Sequence, residues 1–417
     1  MNKTSFVVKQ NDVKILRELA KKKVEIGTGL LMQERIQKWI KHNDLQSEQP
    51  MILIEPVYPV MELKCEEEWA RGLEYSVKLE LYRYNNIKDD EVIDPFIRVN
   101  WDIQISDFGV EVKTERGTDE KGGQLGYHWE PPIKDLDKDF GKLKPRTFTV
   151  NREKTLEWKQ HLESVLGDII PIEIRAGSAY LFLGITSTLI YLIGLEKFML
   201  YMCDNPEGLH RIMRFLTDDN IAQAKWFEKE NLLTLNNANE YVGSGSRGFT
   251  NILPQNGWKQ GNPVRLKDIW ILLESQETVG VSPAMFEEFV GVYQRELAEL
   301  FGLVYYGCCE PVHGRWKSLK LMKNLRSVSV SPWCDQEIIA QAMGKNYVFS
   351  RKPSPAMIST GNFDESAILA DLRKTLSITK KYGCITEFIM KDVHNLNGEL
   401  NRNDRWVALA RKAVSEL

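Results

Sequence analysis

The chain lacks an excess of either charge: 55 Lys and Arg stand against 58 Asp and Glu over 417 residues, a formal net charge of -3. The basic residues are interspersed with acids and form no stripe that could follow a phosphate backbone, which argues against a nucleic-acid partner. A long apolar run is also missing. Residues 178–195 are the longest uncharged segment, but Gly, Ser and Thr dilute it to the lower limit for a membrane span, so it reads as buried core. Residues 1–8 hold no apolar stretch of the kind a secretory signal needs, and a reducing, cytoplasmic setting is expected. Cysteine is sparse. Six thiols, at 65, 203, 308, 309, 334 and 384, make no disulfide framework in a chain this long, and adjacent cysteines pair only under strain. They read as free thiols or metal ligands. Residues 240–248, Glu-Tyr-Val-Gly-Ser-Gly-Ser-Arg-Gly, are rich in glycine but lack the Lys-Ser/Thr of a phosphate loop and its strand-to-helix setting. A loop lining a pocket is expected there, with Glu240 and Tyr241 as substrate-binding candidates.

What is present is enough apolar residue, 43%, for one large α/β barrel or two domains. Apolar positions at helical spacing predict helices over 11–22 and 29–41, an N-terminal extension of fifty residues. Short apolar runs then predict strands at 51–55, 96–101, 168–174, 232–235, 269–273, 303–306, 327–331, 347–349 and 388–390. Helices are expected over 67–86, over 206–230 with Asn205 as cap, over 283–301 with Ser282 as cap, and over 404–416. The alternation of strand and helix favours a (β/α)8 TIM barrel over 51–417, with one strand candidate to spare. Residues 113–150, rich in Gly, Lys, Asp and Pro, read as a long excursion, a lid or a docking surface. In such a barrel the strand carboxyl ends meet at one mouth, which would gather Glu55, Asp102, Glu274, Cys308 to Glu310, Cys334, Lys352 and Asp392 to His394.

Two of those ends carry chemistry. Residues 303–311, Leu-Val-Tyr-Tyr-Gly-Cys-Cys-Glu-Pro, end an apolar run in two thiols and a carboxylate. Thiolate with carboxylate or imidazole is zinc-ligand chemistry, and a catalytic zinc needs only three protein ligands. Residues 391–394, Lys-Asp-Val-His, close another run. The candidate metal ligands are Cys308, Cys309 and His394; Glu310, Asp392 and His394 are the candidate acids and bases. Tyr306 and Trp333 stand beside the expected mouth, which suits a flat, aromatic substrate. Cys334 reads as packing beside tryptophan, and Cys384, at the start of the last strand, lies at the wrong end for the site.

Four segments together resemble the uroporphyrinogen decarboxylase superfamily, which includes corrinoid-dependent methyltransferases acting on methanol, methylamines and aryl methyl ethers. They are residues 274–289, the Cys308 strand, residues 327–333 and the closing strand before His394. The tetrapyrrole decarboxylases carry arginines near the first strand; residues 54–61 here, Ile-Glu-Pro-Val-Tyr-Pro-Val-Met, have none. The resemblance therefore implies a methyltransferase that moves a methyl group from a small donor such as an aryl methyl ether to a corrinoid protein. It implies bound Zn²⁺ and cobalamin carried by the partner. In that branch zinc is held by a His-x-Cys pair and a later cysteine; this chain keeps Cys308, has Tyr306 at the histidine position and offers His394 late. Two other readings stand beside it: a metal-independent lyase using Glu310, Lys391 and Asp392, and a barrel that only binds a tetrapyrrole or aromatic ligand.

Overall fold

The computed structural model describes residues 6–118, 124–176 and 183–417. In chain order its strands are β1 Met51–Ile54, β2 Ile97–Asn100, β3 Asp102–Ile105, β4 Lys113–Thr118, β5 Gln124–Glu130, β6 Phe148–Asn151, β7 Ile172–Arg175, β8 Tyr241–Gly243, β9 Ser246–Arg247, β10 Trp270–Leu273, β11 Leu303–Tyr306, β12 Leu325–Val330, β13 Val348–Arg351 and β14 Ile385–Met390. Six of them form one parallel sheet in the order β1-β14-β13-β12-β11-β10. Nearly all their residues are buried, as expected of parallel strands covered on both faces. Ile52, Ile54, Phe388 and Met390 pack against Leu372 and Leu376 of the helix Glu365–Tyr382 and against Trp406 and Ala410 of Arg402–Ser415. Each such side chain contributes about 1.5–3 kcal/mol on burial.

The expected closed barrel is not completed by strand-to-strand hydrogen bonds. β2 and β7 make a separate parallel pair, and the six-stranded sheet ends at β1 and β10. At the β1 edge side chains replace the missing ladder. Asp90 and Asp89 accept the amides of Ile52 and Ile54 at 2.8 and 3.1 Å, and the Arg83 guanidinium donates to the carbonyl of Ile54 at 2.7 Å. Residues 232–235, expected as a strand, lie beside β10 without joining it. There Asn236 spans the gap, accepting from the Trp270 amide at 2.8 Å and donating to its carbonyl at 3.1 Å. A side-chain amide carries the same donor and acceptor pair as a backbone unit, so it can replace a ladder.

Local expectations fare well where a cap or a period is clear. Helices form over Gln10–Gly27 and Leu30–Asn43, and Asn205 caps Pro206–Lys229 by accepting from the Gly208 amide. The Ser282 helix is interrupted: it runs as Pro283–Phe286, a wider turn over Glu287–Gly291, then Val292–Ala298. The excursion over 113–150 is not bare loop. β4 and β5 form an exposed hairpin, and Ile133, Leu136 and Leu143 reach the main core, so part of the segment is anchored by burial. The expected core segment 178–195 lies outside the described residues up to 182. Beyond that, Ile185, Leu189, Leu192 and Ile193 are buried in the main cluster. Among the described residues no single helix is long and apolar enough to cross a membrane.

Candidate functional site

Because the six strands are parallel, their carboxyl ends lie together, and the side chains that follow each strand converge. Gly307 turns the chain out of β11 at φ +97, a conformation that favours glycine, and a Cβ there would meet Ser329 at 3.3 Å. Cys308 and Cys309 follow, their sulfurs 3.6 Å apart. Glu310 folds back beneath them, fully buried, and accepts the amides of Cys308 and Ser275 at 2.9 Å each. From β14 come Lys391, with its Nζ 3.7 Å from the Cys308 sulfur, and Asp392, with Oδ2 3.9 Å from the Cys309 sulfur. The hydrogen bond from the Cys309 thiol brings the Cys308 thiol down to about 7, against burial and helped by Lys391. Cys309 itself is held far above its ordinary value by that same bond. Burial lowers Lys391, but Cys308 and Asp392 outweigh it and hold the ammonium well above its ordinary value.

At the end of β10, burial, reinforced by Glu277 and Glu310, pushes the Glu274 carboxyl up to about 9. One of its oxygens accepts the Gln276 amide at 2.9 Å and the other has no hydrogen-bond partner among the described residues. A carboxylic acid that keeps its proton at neutral pH is a donor in waiting. An open cleft of about 500 Å³ lined by Gln276, Glu277, Val279, Cys309, Pro311 and Trp333 adjoins the thiols.

A second polar cluster lies below, on the sheet face covered by the helix Leu30–Asn43 and the β8–β9 hairpin. Lys352 donates to the Tyr305 hydroxyl at 2.9 Å; Tyr305 bonds Ser350 at 2.9 Å; and Ser350 bonds Glu387. Glu387 also accepts from Ser246 at 3.0 Å and faces His42 at 3.4 Å. All of these side chains are buried. Burial brings Lys352 down to about 7, with Glu387 pulling the other way. The β8–β9 hairpin closes over this face: a Cβ on Gly243 would strike the Tyr305 ring at 2.2 Å, and one on Gly245 would strike Ile389 at 2.5 Å.

The expected residues therefore divide. Cys308, Cys309, Glu310 and Asp392 come together, and Trp333, three-quarters exposed, lines the cleft. Tyr241, whose hydroxyl is raised by burial and by Glu55, lies within the field of Lys391 and Cys308. Glu240 is buried and held by Arg98 at 3.0 Å and Arg175 at 3.6 Å, so its charge is spent inside the fold. Tyr306 belongs to the helix-facing core and bonds Ser275 at 2.7 Å and Gln294 at 2.9 Å. Alternation along β11 sends Tyr305 and Tyr306 to opposite faces. Asp102 is paired with Lys154 at 2.8 Å, and the buried Cys334 thiol lies 3.5 Å from the His313 ring. His394 is exposed, and neither thiol touches it.

Two thiolates on one tetrahedral zinc at about 2.3 Å would stand roughly 3.8 Å apart, so the cysteine pair by itself has suitable spacing. The full expected set does not fit. Among the described residues no group of three or more His, Cys, Asp or Glu side chains is gathered as a metal site, and an ammonium lies against Cys308. Reasoning from sequence missed Lys391 as the partner of Cys308 and missed Glu387; it expected Lys352 at the mouth, whereas the structure seals that lysine against Tyr305 and Ser350. The one available signal was a glutamate inside the apolar run Ile-Thr-Glu-Phe-Ile-Met of β14.

No protein-family model matches the chain, and no curated protein matches it. Among solved structures it is similar to a methyltransferase from Methanosarcina mazei, at 14% identity and a TM-score of 0.44, over 80% of this chain and 84% of that one. That likeness is too distant to speak for an activity here.

Proposed function

We propose that the chain is a methyltransferase that takes a methyl group from a small, flat donor, an aryl methyl ether, and passes it to the cobalt of a separate corrinoid protein. The observation that carries the reading is the Cys308–Cys309 pair, with Lys391 on one sulfur and Asp392 on the other, beside an open cleft. Pro311, Val279 and Trp333 give the cleft apolar walls suited to a ring. Cleaving the ether leaves a phenolate, a poor leaving group that needs positive charge or a proton in the transition state. The Lys391 ammonium, beside the Cys308 sulfur, supplies the charge. The corrinoid protein docks at the strand carboxyl ends, the β4–β5 hairpin forming part of the surface it meets. On this reading the fold is an opened (β/α)8 barrel. The last strand β14 pairs with the first, β1, while Asp89, Asp90 and Asn236 stand where ladders are missing.

The zinc expected from the resemblance is the finer part of the proposal. It would take Cys308 and Cys309 with His394 as the expected third donor, which would have to move to the pair while Lys391 withdrew. No step above depends on it. The lyase reading is weaker, since both Glu310 oxygens already accept backbone amides and the group is placed to hold the turn.

The test is transfer of methyl from an aryl methyl ether to cob(I)alamin, followed by its absorbance, together with metal analysis of the purified protein. Methylcobalamin formation that is lost in Cys308→Ser is the expected result. Full turnover in that variant sinks the role of the pair, and absence of one zinc per chain sinks the metal site alone.

A further inference from the structure

We propose that Cys308 and Cys309 form a reversible redox switch, closing into a disulfide between neighbouring residues under peroxide and reopening under thiol reductant. The sulfurs are 3.6 Å apart, on the residues directly after the Gly307 turn, and both thiols are partly exposed. Cys309 also lines the cleft, so a small oxidant reaches the pair without unfolding. Lys391 lies 3.7 Å from the Cys308 sulfur and Asp392 3.9 Å from the Cys309 sulfur, so the ammonium favours attack from Cys308 and the neighbouring Cys309 resolves what forms there. The Cys308 thiolate attacks the peroxide O–O bond and takes one oxygen; the expelled hydroxide leaves as water with a proton from solution. The Cys309 sulfur then displaces hydroxide from the Cys308 sulfenic acid. The S–S bond forms, and the Cys309 proton leaves with that hydroxide as a second water. Overall two thiols are oxidised and one hydrogen peroxide is reduced to two waters.

Cα atoms of adjacent residues stand about 3.8 Å apart, below the usual 4.4–6.8 Å of disulfides, so the oxidised form is strained and easily reduced. That makes it a switch instead of a staple. Of the other four cysteines, Cys65 and Cys334 are buried and Cys384 is bonded to the Ala340 carbonyl; Cys203 is exposed, on the helix Leu195–Asp204, and a link to it is an outcome that the peptide mapping separates. The inference deepens the proposed function, since oxidation would silence that reactive pair, but its test does not depend on turnover.

The experiment is intact mass spectrometry after a few equivalents of hydrogen peroxide, with tryptic mapping. The peptide 296–315 holds both cysteines and no other. Expected is a loss of about 2 Da confined to that peptide, reversed by a phosphine, with its alkylation at least tenfold slower while oxidised. Cys309→Ser should instead give a Cys308 sulfenic acid trapped by dimedone. A wild-type chain that only gains about 16 or 32 Da at this peptide, or that links it to another cysteine, overturns the switch. A mass loss without methyl transfer would leave the switch standing and remove only the functional reading; methyl transfer without the mass loss would do the reverse.

Discussion

Lys391 and Lys352 follow adjacent strands of one sheet, yet their surroundings drive them in opposite directions. Lys391 meets a thiol and a half-exposed carboxylate and stays charged; Lys352 is sealed among Tyr305, Ser350 and Glu387, and burial brings it down to about 7. The same side chain is chemistry in one place and architecture in the other. What separates them is the setting of their partners: those of Lys352 are all buried, whereas Lys391, itself buried, faces a half-exposed carboxylate and a partly exposed thiol.

The strongest way to break that contrast is to remove a carboxylate from each cluster. Glu387→Ala leaves Lys352 and His42 without their shared partner in the core, and a loss of about 3–5 kcal/mol is expected in chemical denaturation. Asp392→Ala, at the half-exposed end, should change stability by no more than about 0.5 kcal/mol. Equal losses would mean that the two clusters do not differ as described.

The next effect is kinetic. The alkylation rate of Cys308 should rise with pH through a midpoint of about 7, the depressed value for that thiol. Lys391→Met removes the charge that helps to hold it there, and labelling at neutral pH should slow by about tenfold. An unchanged midpoint would show that Lys391 has no hold on the thiol.

Smaller effects lie in the pH dependence of stability. Lys352 is depressed to about 7, so between pH 7 and about 10.4 the unfolded chain binds the extra proton, and this residue makes stability rise with pH over that window. Lys352→Met should lack that rise. Glu274 is raised to about 9, so between about pH 4.3 and 9 the folded chain holds the extra proton, and this residue makes stability fall with pH across that window until it levels off above 9. Glu274→Gln mimics the protonated acid, so it should match the wild type below about pH 4.3, lack that decline, and be the more stable chain at neutral pH. Thermal melts of each variant against the wild type across pH 5–10 separate the two opposed slopes.

Much of the secondary structure was legible because its causes are local. Asn205 before Pro206 and Ser282 before Pro283 mark helix starts whatever surrounds them, and runs such as Leu-Val-Tyr-Tyr mark buried strands. Residues 232–235 misled for the same reason: an apolar run meets the requirement for burial, but whether it joins a ladder depends on its neighbour, and here Asn236 occupies the place. The open edge at β1 was likewise invisible, since it turns on Asp89, Asp90 and Arg83 reaching a strand some thirty residues away.

By itself the sequence determined which side chains follow the strands, and so placed Cys308, Cys309, Glu310 and Asp392 at one end, because parallel strands carry their carboxyl ends to one side. Only the tertiary structure decided which of them act together. Whether Lys391 or His394 meets the thiols, whether Tyr306 faces a cleft or a helix, and whether a lysine keeps its charge all depend on directions and distances set by packing between segments far apart in the chain. Charge and hydrogen bonding act over a few ångströms of space, and sequence separation does not measure that space.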